Sequence, residues 1–470
     1  MPPHPGSLRL AYELWTQYGS AHLAYRLAHE AARRTGLLKR RFPARGWDAR
    51  PLSSWCAAGV PTQPEAYRSL RERSPSRFFF APGVLPALPR EGAQDGIAKA
   101  EAVLAGRPAY FGHTSMFLGF PFDWFLNPFT GERADADRHW CDRDGFEPGQ
   151  GDIRTLWEPA RFGWVYALVR GYAGNKDARY ASGFWTLLES WLASNPPNMG
   201  PHWQDGQECA VRLMALCFGL QAFWKDGVTS ADRIARLAQV IAVHADRIEK
   251  NLNFARSQIG NHAVSEAAAL YTAGVLYPEF RRAPTWRRKG LRVLDDEARR
   301  HNHDDGSYVQ HSMNYHRLML QGYLWAMRLA ELNGDPVSGE TVRKIDKAAD
   351  FLFLLQDPAS GRVPNYGPND GSLLLPLNAC DFLDYRPAIG AAHFQIHRKR
   401  LYEPGAWDED LIWLFGPDAQ AAGRTLRDRS SQGLDDGGYY VLRGREAWGM
   451  VRCHSFRNRP NQADLLHLDL

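Results

Sequence analysis

Between about residues 157 and 355 the chain alternates long apolar runs with Gly-, Pro- and Asn-rich breaks, the punctuation of helices rather than strands. Over 231–251 the apolar positions Ile234, Leu237, Ile241, Ala245 and Ile248 recur three and four apart, with Arg, His and Asp between them. That spacing gathers them into one stripe and predicts a helix with a wet face, one of an outer layer. The stretch 209–224, CAVRLMALCFGLQAFW, is apolar nearly all round and predicts a helix covered on both sides, one of an inner layer. Such pairs recur roughly every fifty residues, a period that predicts an array of helical hairpins rather than a compact bundle.

The pattern changes at both ends. Residues 8–36 read as a basic amphipathic helix with Leu8, Leu10, Leu14, Leu23 and Leu27, followed by the cationic run Lys39, Arg40 and Arg41. A Pro-, Gly- and Trp-rich stretch with short aromatic islands then runs to about 150. After Asp357 the helical signal fades. Past Gly433 the period becomes two: Tyr439 and Val441, then Trp448, Met450 and Arg452, flank a turn-like RGRE and predict a β-hairpin. The final DLLHLDL is also strand-like, so the β segment reads as a sheet cut short at Leu470.

Composition narrows the class only a little. No run of eighteen apolar residues suggests a membrane span. The net charge of +5 suits an anionic partner without marking a nucleic-acid binder. The six cysteines lie far apart with no metal-ligand spacing, which predicts neither a disulfide scaffold nor a metal site. The N-terminus lacks an apolar core and a small-residue cleavage site, so the expected compartment is the cytoplasm. The 16 tryptophans matter more, since flat aromatic faces pack against sugar rings.

Two segments bring polar chemistry to helix starts. In GNHAVSEAAALYTAG, Asn261 and His262 open an alanine-rich helix, where a neutral and an ionisable donor lie near a positive dipole end and suit a carboxylate. In DDGSYVQHSMNYHRLMLQ, Gln310, His311, Tyr315 and His316 stand at the start of another helix. Each pair alone also fits a capped or hydrogen-bonded core element. What raises both is their equivalent placement in consecutive hairpins.

With WEPARFGW (157–164), HWQDGQECAVR (202–212), PNYGPNDG (364–371) and RPNQADLLHLDL (459–470), these segments resemble the heparinase II/III and alginate lyase superfamily over roughly 157–470. The resemblance implies a mainly α chain: an incomplete (α/α) toroid of helical hairpins over 151–375, preceded by a mixed segment over 1–150. Over 376–470 it implies a linker and the start of an antiparallel β-sandwich. It also implies an acidic polysaccharide as substrate and cleavage by β-elimination. Asn261 and His262 would neutralise the uronate carboxylate. Tyr315 would serve as general base, general acid or both, with its phenol acidified by nearby cations and His316 as a helper. Trp157, Glu158, Arg161, Trp203, Glu208, Arg212 and Asn369 are the candidate groove residues, although Glu208 and Arg212, four apart on a helix, also fit a salt bridge. Such enzymes often work in the periplasm and commonly carry a His-x-His-x-Asp stretch, with zinc, in the β domain. Here the matching stretch is Arg459 to Asp464 without a histidine, which leaves His454 or His467 to take its place and no zinc ligands to name.

Two other readings compete. A glycoside hydrolase on the same toroid would draw two opposed carboxylates from Glu208, Glu266 and Asp370. A binder of acidic glycans without turnover would explain the missing histidine.

Overall fold

The computed structural model describes residues 5–143, 146–147, 151–453 and 466–470. Its helices, in chain order, are α1 (Pro5–Arg34), α2 (Leu37–Arg41), α3 (Pro64–Glu72), α4 (Arg90–Leu104), α5 (Arg154–Ala160), α6 (Gly163–Asn175), α7 (Arg179–Ser194) and α8 (Gly206–Phe223). They continue as α9 (Ala231–Arg256), α10 (Asn261–Leu276), α11 (Ala283–His301), α12 (Met313–Leu332), α13 (Gly339–Leu354), α14 (Arg386–His397) and α15 (Glu409–Phe415). From α6 onward, even-numbered helices pack on the even-numbered ones beside them and form an inner ring through α14, while α9, α11 and α13 cover it from outside. This is the (α/α) toroid of the hairpin pattern. Its seam is bridged by the buried Arg170 of α6, which forks onto Glu409 of α15 (2.7 and 2.9 Å) and reaches Asp95 of α4 (2.6 Å).

The two layers differ as the apolar pattern requires. Every residue of α8 except Gln221 is buried, and all of α10 except His262. α9 instead buries Ile234, Leu237, Ile241, Ala245 and Ile248 and keeps most of its charged side chains outside, Arg247 being buried. α10 and α11 approach closely through Gly274 and Gly290, where a Cβ would collide with the facing helix backbone. Gly274→Ala is therefore expected to lower unfolding free energy by about 1–3 kcal/mol, read as a lower urea midpoint with an unchanged slope.

Helices do not stop where the pattern fades. α14 and α15 follow the loop 355–385; α15, of seven residues, is too short for an eleven-residue periodicity window, and α14, of twelve, barely fills one and opens on Pro387. Strands are few: β1 (Ala109–Tyr110) pairs β2 (Thr114–Ser115), and β3 (Phe146–Glu147) pairs β4 (Gly151–Asp152). A four-stranded antiparallel sheet then runs in the order β5 (Gln432–Leu434), β6 (Tyr439–Arg443), β7 (Trp448–Cys453), β8 (Leu466–Asp469). The β-hairpin that the alternation predicts is β6–β7, with Tyr439 opposite Arg452 and Val441 opposite Met450. Tyr439, Val441, Met450 and Arg452 face the toroid, with Tyr439 edge-on to Phe351 and Tyr366, while Leu442, Leu466 and Leu468 are exposed on the opposite face. Among the described residues no helix is long and apolar enough to cross a membrane.

Candidate active site

The inner helices α8, α10 and α12 bring their N-terminal turns together, and polar side chains stitch those turns to one another. Asp205 caps α8 by accepting the Gln207 N–H (2.7 Å), and Ser312 caps α12 by accepting the Tyr315 N–H (3.1 Å). α10 begins after Gly260 without a side-chain cap of its own, so the Asn261 N–H donates to Gln310 Oε1 (3.0 Å). The Asn261 amide donates to Gln207 Oε1 (2.7 Å), an oxygen that also receives Ser265 Oγ (3.3 Å). The positive ends of these helices thus converge on a site rich in neutral donors.

His262 Nδ1 lies 3.1 Å from Asp205 Oδ1. The carboxylate makes Nδ1 the donor and turns Nε2 away from it, and part of the ring reaches solvent. Burial alone would lower the His262 pKa, but Asp205, and behind it Glu266 and Glu208, outweigh burial and hold it above its ordinary value. Asp205 is correspondingly held low, since His262 and the Gln207 N–H outweigh its own burial. Beneath the pair Glu266 is fully buried, accepts Asn251 Nδ2 (3.1 Å), and is pushed up to about 8 by burial and by Asp205.

Asp205→Asn removes the anion that keeps His262 protonated. The His262 titration is expected to move to lower pH in the variant, as followed by NMR of its ring protons. The sign for stability follows. The His262–Asp205 contribution is fully present below the unfolded histidine pKa and is lost as pH rises through the higher folded one. The variant's stability deficit should therefore be larger at pH 5.5 than at pH 9, two pH values about 1 below and 2.5 above the reference near 6.5.

In the first turn of α12, Tyr315 OH donates to Asp370 Oδ2 (3.2 Å), and Asp370 also takes Asn314 Nδ2 (3.2 Å), the Ser372 N–H (3.1 Å) and an ion pair to Arg154 (3.6 Å). The acidified phenol expected of the sequence is not what this arrangement produces. Burial first and Asp370 second push Tyr315 up to about 12, and Arg154 and Arg161 offset only part of that. Tyr315 is a neutral phenol, a proton donor at rest. Its partners Arg154 and Asp370 line an open cleft of about 520 Å³, with Phe111, Phe129 and Asn369 on its walls. A second cavity of about 570 Å³ adjoins it through His113, Gly371 and Phe382.

The predicted site residues separate into those near this cleft and those in the interior. Trp157 is half-buried, its Nε1 donating to Pro201 O (2.9 Å). Arg161 spends its fork on Glu208 (2.8 and 2.9 Å) and reaches Glu158 and Ser372 (2.9 Å each), while Glu158 also accepts the Phe111 N–H (3.0 Å). These three are a buried ion cluster that ties α5 and α8 to the Asp370 loop. The sequence pairing of Glu208 with Arg212 is replaced by this one. Arg212 instead donates to Ala160 O and His202 O (2.9 Å each) and lies 4.4 Å from the Trp191 ring. Trp203 and Arg212 are both 0% exposed, so the groove role expected of them gives way to packing in an aromatic core with Trp47 and His244.

His316 differs from its expected role too. One residue on from Tyr315 it points off the other side of α12, bonds Ala348 O (3.0 Å) and stacks on Phe351, and burial pushes it down to about 3. It is a neutral core histidine. Asn369 lines the cleft, donating to Asn365 Oδ1 (2.8 Å) and accepting the Gly371 N–H (3.0 Å).

Sequence reasoning passed over Asp205, Gln207 and Arg154. The first two have a local signal, the Asp-Gly-Gln of a helix start. Arg154 has none, because the Asp370 it pairs with is distant in the chain. Of the β-domain candidates, His454 and residues 459–464 lie outside the described residues. His467 on β8 stands edge-on to Tyr366 (4.9 Å). Among the described residues no three His, Cys, Asp or Glu side chains are grouped to hold a metal ion.

Comparison with known proteins agrees with this architecture. The Heparinase II/III N-terminus profile matches residues 108–370, and the chain belongs to that family. A heparin-sulfate lyase of Bacteroides thetaiotaomicron is 25% identical over 289 residues, 60% of this chain and 39% of that one. A heparin-sulfate lyase of Bacteroides stercoris is 31% identical over 203 residues, 39% of this chain and 30% of the relative. The matched stretch thus spans well under half the length of these curated relatives. The crystal structure of heparinase III superposes with a TM-score of 0.56 at 18% identity, covering 85% of this chain and 60% of that one, a likeness of fold.

Proposed function

We propose that this chain carries the catalytic toroid of a polysaccharide lyase acting on uronic-acid-containing glycans by β-elimination. The observation that carries the reading is that the start of α10, with Asn261 and His262, is tied through the Asn261 N–H and Gln310 to the segment that opens α12, whose first turn carries the neutral Tyr315 phenol. In β-elimination the C5 proton is removed, negative charge develops on the uronate carboxylate, and the bond from C4 to the leaving oxygen breaks. Asn261 has one amide hydrogen committed to Gln207, and its second, with the His262 Nε2–H, would meet that carboxylate. Such donors matter most where charge grows, so they favour the enolate-like transition state over the ground state.

Tyr315, protonated at rest, is suited to deliver a proton to the departing C4 oxygen. The C5 proton of that sugar passes to water, and the phenolate left by the transfer, faced by Arg154 and Arg161, is reprotonated from solvent before the next turnover. The heparin-sulfate lyases among the relatives favour a sulfated uronate glycan as substrate.

The hydrolase reading fares less well. Glu208 is bound to Arg161, Glu266 is fully buried, and Asp370 is engaged by Tyr315 and Asn314, which leaves no opposed pair open to the cleft among these three. The test is incubation with heparan sulfate, alginate and chondroitin sulfate. Elimination raises ultraviolet absorbance from a C4=C5 double bond. New reducing ends without that absorbance would sink the lyase reading in favour of hydrolysis.

A further inference from the structure

The cationic run at Lys39–Arg41 plays no part in the cleft. It belongs to the far side of the Trp203–Gln204 backbone, where α2, the turn before Arg50 and the middle of α9 enclose a cleft of about 270 Å³. Arg40, Arg41, Arg45, Arg50, Arg247 and Lys250 line it, with Asp246 as its one carboxylate. An adjoining cleft of about 480 Å³ shares Arg41, Arg50 and Lys250 and adds Arg281, Arg282 and Lys289 against Glu249. Nine cations against two carboxylates exceed the net +5 of the whole chain, so the protein's positive excess is concentrated on this one face.

The cations are also poorly neutralised. Arg40, Arg41 and Arg45 are exposed, and none makes an ion pair within the described residues. Asp246 is taken up by Lys250 (2.7 Å) and Arg50 (3.6 Å). At the floor Arg247 is 2% exposed and packed between Phe42 (4.6 Å) and Trp140 (4.4 Å). It spends one nitrogen on Trp203 O and Gln204 O and has no partner for Nε and Nη1. No carboxylate pairs with it directly, Asp205 and Glu266 acting on it only at longer Coulombic range, and a buried guanidinium without a direct counter-ion is costly unless an anion completes it. Lys289 shows the same field, held below its ordinary value by burial and by Arg282, Arg292 and Arg41.

We infer that this outer face is a second binding site for a strand of acidic polysaccharide, its guanidinium groups pairing with successive sulfates or carboxylates outside the catalytic cleft. The inference rests on the proposed substrate class. Arginine forks match both oxyanions. The aromatic rings of the clefts, Phe42, Trp47 and Trp55, are buried, which leaves no platform for stacked bases and argues against single-stranded nucleic acid. A strand held here and in the cleft would gain by effective concentration, so the site should act on long chains and not on short ones.

The test is the Arg40→Gln/Arg41→Gln/Arg45→Gln variant, whose changes are all exposed, titrated with long-chain heparan sulfate and with a heparan sulfate tetrasaccharide. Affinity for the long chain should fall about tenfold while that for the tetrasaccharide is unchanged. Equal long-chain affinity, or a loss confined to a single-stranded DNA probe, would overturn the second site. Turnover is read separately: binding that falls as stated with no lyase product strikes the catalytic reading alone. Arg247→Met is a secondary variant, to be read only if its circular dichroism matches the parent.

Discussion

Tyr315→Phe should reduce elimination of acidic polysaccharide by roughly 10³-fold, within the range a positioned proton donor contributes, with the fold intact. Only the hydroxyl is lost, and the Asp370 it bonded keeps Asn314, the Ser372 N–H and Arg154. No buried charge is stranded, which separates this variant from most substitutions in the site. Because Tyr315 is pushed up to about 12, it stays protonated across the ordinary pH range. The parent's rate should therefore show no tyrosine titration near neutral pH. A limb there would belong to His262, which burial disfavours as a cation but Asp205 sustains above the ordinary histidine value, or to Glu266 beneath it, pushed up to about 8. If initial rates of parent and variant agree within threefold, Tyr315 is not the proton donor.

The largest effect on stability should come from Arg161→Met. Arg161 faces Glu208, whose side chain is 1% exposed, and Glu158, at 14%, and satisfies both. Removing it leaves two carboxylates without their cation in the interior, a loss of about 3–5 kcal/mol. Glu158 is already held above its ordinary pKa by burial, against the pull of Arg161. Without Arg161 that rise grows. A raised carboxyl pKa costs stability as pH climbs through it, so the variant should recover part of its deficit on acidification toward pH 5. Chemical denaturation at two pH values measures both the deficit and its slope. A deficit below about 1 kcal/mol, as for an exposed pair, would show that the cluster is not the support proposed here.

The parts of the molecule read from the sequence are those where one local rule dominates. Ile234 to Ile248 on α9 and the unbroken apolar run of α8 fixed the layers, because burial of a helix face is written at three- and four-residue spacing. Tyr439, Val441, Met450 and Arg452 disclosed the hairpin and its inward face for the same reason at period two. Short elements escaped: α14 is held by packing against α12 and α13, and α15 by α14 and the Arg170–Glu409 bridge, none of which is a local signal.

Within the candidate site, helix starts drew attention to Asn261, His262 and Tyr315, but residue type alone could not say which polar side chains turn inward. His316 adjoins Tyr315 in sequence and faces Phe351. Trp203 looked like a sugar platform and is a core residue. The phenol's character was misread because its nearest charge, Asp370, lies on a loop far along the chain, where no spacing reports it.

The most direct test of the account is the product formed from heparan sulfate in oxygen-18-labelled water, weighed by mass spectrometry. Elimination draws no atom from water into the sugar, so the product should carry no label and be lighter than the hydrolytic product by one water. A product with one labelled oxygen at its new reducing end would contradict the account, and Tyr315 and His262 would then need another role.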